Sequence, residues 1–332
     1  MLCIGHTFLV SAQDVALESR RLHLGKSAQY EWEVFKNRPV DAERLELRFE
    51  AKANEQEHTL RIWQRGVKLR WLVLLNGRKL GMLTTEEAAQ ECVLAVPAGA
   101  LREGENVLVI EAPASLDDIE VGPVILMGKP VVEAIGGARM DVNVTAAPNG
   151  EPSPCRLTLT RVDGTLQPLR AEPADAVAAR TGVVYTRDGH AVIAVPPGDY
   201  ELHAGRGFEW SVEKQAVSLK AGDAKEVWMS LKREVDTRGW IAADSHIHTL
   251  TFSGHGDAKI EERMLTIAGE GIELAISTDH NHHTDYAPFA ASSGVAERFT
   301  PAIGNFKRER RSWMPAKKIG RNWCHPYAPR RG

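Results

Sequence analysis

Six of the twelve histidines in this 332-residue chain fall between His246 and His283, a window of 38 residues. Neutral imidazole is the commonest metal ligand, so a cluster of this kind points to metal chemistry. Asp244-Ser245-His246-Ile247-His248-Thr249 closes a short apolar run that begins at Trp240. On a strand, side chains two apart share a face about 6.5 Å from each other, so His246 and His248 project together while Ile247 faces away. A second apolar run, Ile272–Ser277, is closed by Thr278-Asp279-His280-Asn281-His282-His283. His246, His248 and His280 are therefore expected to ligate a divalent metal. Such a cation lowers the pKa of bound water to about 7 and makes hydroxide available at neutral pH.

The elements that position these residues can be read from the spacing between them. Gly254-His255-Gly256-Asp257 precedes Ile260, Met264, Ile267 and Ala268 at helical spacing, which predicts a helix over 258–269. Asp257 stands where an N-cap would, and Gly269 and Gly271 where the helix should stop. The pattern is strand, helix, strand: a βαβ unit with parallel strands whose candidate ligands follow the carboxyl ends, where α/β barrels place active sites. Asp257 is open to two readings, N-cap and metal ligand. His255 is likewise either a ligand or a loop residue beside the metal. Asp279, directly ahead of a ligand, is suited to orient it by a hydrogen bond from behind; with His255 it makes the pair of catalytic candidates. His282 and His283 read as pocket lining or solvent-facing, and Asn281 as a hydrogen-bond partner of substrate or backbone.

Asp-Ser-His-Ile-His-Thr (244–249) and Ser-Thr-Asp-His-Asn (277–281) resemble the first two motifs of phosphoesterases of the PHP (polymerase and histidinol phosphatase) superfamily. With Phe-Ser-Gly-His-Gly-Asp (252–257) and Thr-Asp-His-Asn-His-His-Thr-Asp (278–285), the fuller string looks closest to the carbaryl-hydrolase-like branch. The resemblance implies a distorted barrel of seven β/α units holding two or three divalent ions such as zinc, manganese or iron. It implies His246 and His248 as the first-motif pair, a ligand around His255 and Asp257, and His280 as the second-motif ligand. The implied reaction is metal-assisted hydrolysis of a phosphoester, ester or carbamate bond in a small-molecule substrate. Two other classes compete: a non-catalytic β-sandwich binding protein with a vestigial metal site, and an amidohydrolase-type enzyme, which also begins with His-x-His but usually needs a bridging lysine.

The chain departs from that family after its third strand. A barrel needs on the order of 200 residues or more, whereas 95 run from Arg238 to Gly332. Phe299–Asn305 reads as a third strand, and Phe306 stands where the family usually has a glutamate. Residues 238–305 are accordingly expected to be the start of a PHP-type barrel, truncated after the first βαβ unit and third strand. Residues 306–332 hold nine Lys or Arg and one acidic residue, a net of +8 that leaves −11 for 1–305. Without helical or strand period, this tail is expected to be disordered or frame-shifted rather than a nucleic-acid-binding arm.

Upstream, two β-sandwich modules are expected, at 1–130 and 131–235. Alternation over Leu45–Ala51 and the apolar stretch Leu60–Leu75 before Asn76-Gly77, a strong type I′ hairpin signal, argue for the first. The string from Val73 to Ile110 resembles galactose-binding-like jelly rolls, which makes a carbohydrate a candidate ligand. Trp63 and Trp71 read as core residues or as a sugar-stacking platform. In the second module, Pro196-Pro197-Gly198-Asp199-Tyr200-Glu201-Leu202 resembles transthyretin-like or carboxypeptidase-regulatory modules. Residues 168–188, Ala-rich with proline, are expected to be an irregular insertion. A formal net charge of −3 gives no argument for nucleic acid or anionic membrane as partner, and no apolar run approaches the ~20 residues of a membrane span. Met1–Ala12 reads as a first strand or a clipped signal peptide, and the β modules point to a periplasmic or extracellular setting. Cys3, Cys92, Cys155 and Cys324 form no CxxC pair, leaving one or two bridges open.

Overall fold

The computed structural model describes residues 2–6, 14–26, 33–112 and 117–304. The chain is mostly β-strand, in two successive sandwiches followed by a small parallel α/β unit. The first sandwich is built from β1 (Leu2–His6), β2 (Val15–Glu18), β3 (Leu22–Leu24), β4 (Leu45–Ala51), β5 (His58–Arg65), β6 (Leu72–Leu75), β7 (Arg78–Met82), β8 (Gln90–Val96), β9 (Gly104–Glu111) and β10 (Ile119–Met127). One sheet runs β1-β4-β9-β6-β7; the other runs β2-β10-β5-β8, with β3 also on β10. Alternating residues such as Leu45, Leu47 and Phe49 or Leu108 and Ile110 turn inward between the sheets. The hairpin joins β6 to β7 as expected, with Asn76 and Gly77 at φ 52° and 76°, both in the left-handed region a type I′ turn requires. The long run 60–75 is not one strand, because Gly66 at φ 74° and the segment behind it break it into β5 and β6.

Trp71 is fully buried and its Nε1 donates to Asp117 Oδ1. Trp63 is 6% exposed, with Nε1 donating to Thr165 Oγ1 of the next module at 2.9 Å and the Arg21 guanidinium over its ring. Both are core or interface residues, so the sugar-stacking platform is not formed by this pair.

After a short helix α1 (Val131–Ala134), the second sandwich comprises β11 (Ala138–Ala146), β12 (Glu151–Pro152), β13 (Cys155–Arg161), β14 (Arg170–Glu172), β15 (Val177–Arg180), β16 (Val183–Thr186), β17 (His190–Val195), β18 (Gly198–Gly205), β19 (Glu213–Leu219) and β20 (Ala224–Leu231). Its sheets run β12-β11-β17-β14, with β20 parallel to β11, and β15-β16-β13-β18-β19. The segment 168–188 is therefore not irregular: it supplies β14, β15 and β16. Val183, Val184 and Thr186 carry the β-branched signal, and Gly182 at φ 69° makes the tight β15–β16 turn. Cys92 and Cys155 are buried free thiols.

The third unit contains β21 (Ala243–Ile247), α2 (Leu250–Ser253), α3 (Ile260–Gly269), β22 (Leu274–Ser277), α4 (Ala287–Ser292) and β23 (Thr300–Ile303). Its sheet runs β21-β22-β23 with both pairings parallel, which is the βαβ unit and third strand expected from the pattern. Trp240 and Ile241 lie ahead of β21 and are 81% and 64% exposed, so the apolar run there is not the strand itself. Helix α3 begins two residues later than expected, with Lys259 rather than Asp257 at its N-cap position. Ile260, Met264, Ile267 and Ala268 bury as a stripe with Ile247, Ala275, Tyr286 and Phe299. Ala178 of β15 belongs to the same core, and Tyr185 of β16 packs against it. The second sandwich is thus one wall of the third unit. The basic tail 306–332, Phe306, Cys324 and the residues from Thr7 to Ala12 lie outside the described residues.

Candidate metal centre

Imidazoles from three chain segments meet at the carboxyl ends of β21 and β22. A register shift between Asp244 and Ile247 interrupts the β21–β22 ladder, and His246 and His248 lie Nε2 to Nε2 at 2.9 Å. His280 follows β22, held by its backbone N–H donating to Ser253 Oγ at 3.0 Å. His255 reaches in from the loop after α2, its Nε2 lying 2.9 Å from His280 Nδ1 and 3.2 Å from His280 Nε2. Ring centroids of His248 lie 5.1 Å from His255 and 4.6 Å from His280. His248, His255 and His280 each offer a nitrogen within 4.8 Å of the others, and His246 adjoins the set through His248.

The donor set fits a metal. Nitrogens bonded at about 2.0–2.1 Å to a tetrahedral ion are about 3.3 Å from one another, near the 2.9 Å between His246 and His248 and the 2.9 and 3.2 Å between His255 and His280. Burial, then the neighbouring His246 and His255, holds the His248 pKa below the ordinary imidazole value. That favours the neutral form a cation needs. His246 and His255 are exposed, so the cluster opens to solvent and to an incoming molecule. Three imidazoles would hold such an ion with one tetrahedral position left for another ligand.

Asp257 does not join the imidazoles. Its carboxylate accepts from Arg180 Nη1 at 2.9 Å and Arg263 Nη2 at 2.8 Å, and two guanidiniums hold it outside the group. Neither reading of Asp257, ligand or N-cap, is therefore realised; it is an ion-pair residue of the loop. Asp279 is buried, and its carboxylate is held by an amide and three hydroxyls. Its Oδ1 accepts from Thr249 N–H at 2.7 Å, Thr249 Oγ1 at 2.8 Å and Ser253 Oγ at 2.8 Å, while Oδ2 accepts from Tyr286 Oη at 3.1 Å. Burial works to raise its pKa, and these hydrogen bonds outweigh burial and keep it below the usual carboxylate range. The Tyr286 hydroxyl is pushed up by burial and then by Asp279. Asp279 is thus a positioning residue: it fixes Thr249, next to His248, and Ser253, which in turn holds the His280 backbone. His282 and His283 are exposed, and Asn281 supplies a left-handed turn at φ 60°. Thr249, Ser253 and Tyr286 were not singled out from sequence; only the N-capping position of Thr249 ahead of α2 signals one of them.

No family model matches the chain, and no curated protein does. Among solved structures, the minor pilin GBS52 of Streptococcus agalactiae is 11% identical over 65% of this chain and 97% of its own, with a TM-score of 0.26. A Faecalibacterium prausnitzii beta-glucuronidase is 12% identical over 89% of this chain and 60% of its own, with a TM-score of 0.23. An Eisenbergiella tayi GH2 beta-galacturonidase is 12% identical over 89% of this chain and 57% of its own, with a TM-score of 0.22. Likenesses this slight do not bear on the chemistry, which rests on the residues themselves. A separate cleft of about 380 Å³ opens where the three units meet, lined by Glu86, Arg180, Tyr185, Asp244, Glu262 and Glu270. It is bounded by Asp257 but by none of the four histidines, so it is distinct from the cluster.

Proposed function

We propose that the ends of β21 and β22 form the divalent-metal centre of a PHP-type hydrolase that acts on a phosphoester, ester or carbamate bond of a small molecule. His248, His255 and His280 would hold the ion, with His246 beside them. The observation that carries this reading is the convergence of imidazoles from three segments, 246–248, 255 and 280, on one open point. An all-nitrogen donor set suits zinc better than manganese, whose sites are rich in carboxylate oxygen. When bound, the ion supplies an activated water and polarises the scissile group. The chain itself holds the His248 pKa down by burial, fixes the His280 backbone through Ser253, and braces both turns on Asp279. The exposed flank at His246 and His255 admits substrate.

The test is metal content of the purified chain, by elemental analysis, beside turnover of p-nitrophenyl phosphate and p-nitrophenyl acetate. Wild type is expected to carry zinc and lose it in His248→Ala and His280→Ala. Equal metal in wild type and both variants sinks the proposal. A second reading, glycan binding by the sandwiches, is favoured by one feature. Trp228, 64% exposed on the outer face of β20, pairs in register with Asn143. Asn143 adjoins the Asp141–His190 pair. Binding without turnover is what that reading expects.

A further inference from the structure

We infer that Arg180, a residue of the second β-sandwich, is a positioning residue for the metal-binding loop of the third unit, holding His255 in the imidazole cluster by its grip on Asp257. The inference rests on the metal reading above and deepens it. His255 has the least backbone support of the four imidazoles. His246 is in β21, His248 lies just past it, and His280 comes soon after β22. His255 instead lies between Gly254 at φ 66° and Gly256 at φ 100°, two residues whose backbones are free to leave these conformations. Such a loop needs an anchor on each side.

On the N-terminal side the anchor is α2, capped by Thr249 and closed by Gly254 N–H donating to Leu250 O at 3.2 Å. On the C-terminal side, Leu250 N–H donates to Ala258 O at 2.8 Å, and Asp257 carries the rest. One Arg180 nitrogen, Nη1, donates to the Asp257 carboxylate at 2.9 Å, Nη2 donates to the Asp257 backbone carbonyl, and Nε donates to Glu262 at 2.6 Å. A planar guanidinium can bridge three acceptors in fixed directions, which an ammonium cannot. Arg180 ends β15, whose Ala178 is inserted in the core of the third unit, so the grip comes from a rigid support. The Arg180 and Asp257 side chains are 42% and 69% exposed, so their pairing adds little to global stability. Its consequence falls on the loop.

The experiment uses the full chain, metal-free, as wild type, Arg180→Ala, Arg180→Lys, His255→Ala and the Arg180→Ala/His255→Ala double variant. Zinc is titrated calorimetrically, and hydrogen exchange is followed by mass spectrometry over 250–258. Arg180→Ala is expected to weaken zinc binding about tenfold, as loss of a ligand-orienting contact does. Arg180→Lys should recover part of this, since an ammonium restores fewer of the three bonds. The double variant should bind zinc no more weakly than His255→Ala alone. Exchange at 254–258 should quicken in Arg180→Ala while β15 and β16 are unchanged. Wild-type affinity in Arg180→Ala, or full additivity in the double variant, overturns the inference. If wild type takes up no zinc, the metal reading fails on its own. Hydrogen exchange then decides whether Arg180 braces the loop, and unchanged exchange overturns it.

Discussion

Replacing Asp279 by alanine should loosen the third unit while leaving the sandwiches intact. The carboxylate is fully buried and accepts four hydrogen bonds, from Thr249 N–H, Thr249 Oγ1, Ser253 Oγ and Tyr286 Oη. A hydrogen bond to a charged acceptor contributes about 1.5–3 kcal/mol, and a stranded buried donor costs about 1–3 kcal/mol. The three hydroxyls can rotate toward other acceptors, but the Thr249 amide cannot. A loss of about 3–5 kcal/mol follows for Asp279→Ala. Asp279→Asn keeps an acceptor oxygen and the volume but loses the charge, so about 1–2 kcal/mol is expected. With three separate cores the chain is a poor case for a single unfolding equilibrium. Native-state hydrogen exchange resolved by segment is the right assay, with β5 and β9 as internal reference. Because the folded pKa lies below the unfolded value, the stabilisation is complete above the ordinary carboxylate range and is lost as pH falls through the folded pKa. The advantage of wild type over Asp279→Asn should therefore be flat between about pH 5 and 8 and shrink below about pH 4. Unchanged exchange in β21 and β22 for Asp279→Ala, or equal acceleration in β5, would refute the reasoning.

Two further outcomes follow from how α3 meets the second sandwich. A Cβ on Gly269 would lie 2.7 Å from Tyr185 Cδ1 and 3.1 Å from the Cys155 carbonyl oxygen. Gly269→Ala should therefore destabilise the third unit by about 1–3 kcal/mol, despite the better helix propensity of alanine. Faster exchange in α3 checks this, and a gain in protection counts against it. Burial pushes the Cys155 thiol up to about 11, leaving about one thiolate per thousand at pH 8. Iodoacetamide should spare Cys155 in the native chain at pH 8 and label it after denaturation; native labelling at the unfolded rate contradicts the packing.

Local pattern made much of the architecture legible. Alternation over β4, Asn76-Gly77 at the hairpin, and the Ile260, Met264, Ile267 stripe each report burial or dihedral demands that act within a few residues. Strand β15 is hard to read because alanines in Val177-Ala178-Ala179 carry little strand preference of their own, although β16 carries a β-branched signal in Val183, Val184 and Thr186. Ala178 is small because α3 lies against it, a demand set by residues some 80 positions later. The cap of α3 is illegible in the sequence for a related reason. Asp257 has the chemistry of an N-cap, and Arg180 and Arg263 hold it elsewhere.

The clustered imidazoles and their supports differ in legibility for a chemical reason. Few side chains bind a transition metal well, so the imidazoles of the proposed centre, His246, His248 and His280, announce themselves by type and position, whereas His255 enters from a glycine-flanked loop. Their supports need only donate or accept one hydrogen bond in the right place, which Thr249, Ser253 and Tyr286 do with residue types common anywhere. Geometry alone selects them, and geometry is tertiary. The second sandwich takes part as well: Ala178 and Tyr185 help cover α3, and Arg180 fixes the loop of His255. Since α3 joins the two ligand-bearing strands, deleting the sandwich would expose one side of α3. It would also release Asp257, so the third unit should not hold its imidazoles together without the wall that β15 and β16 provide.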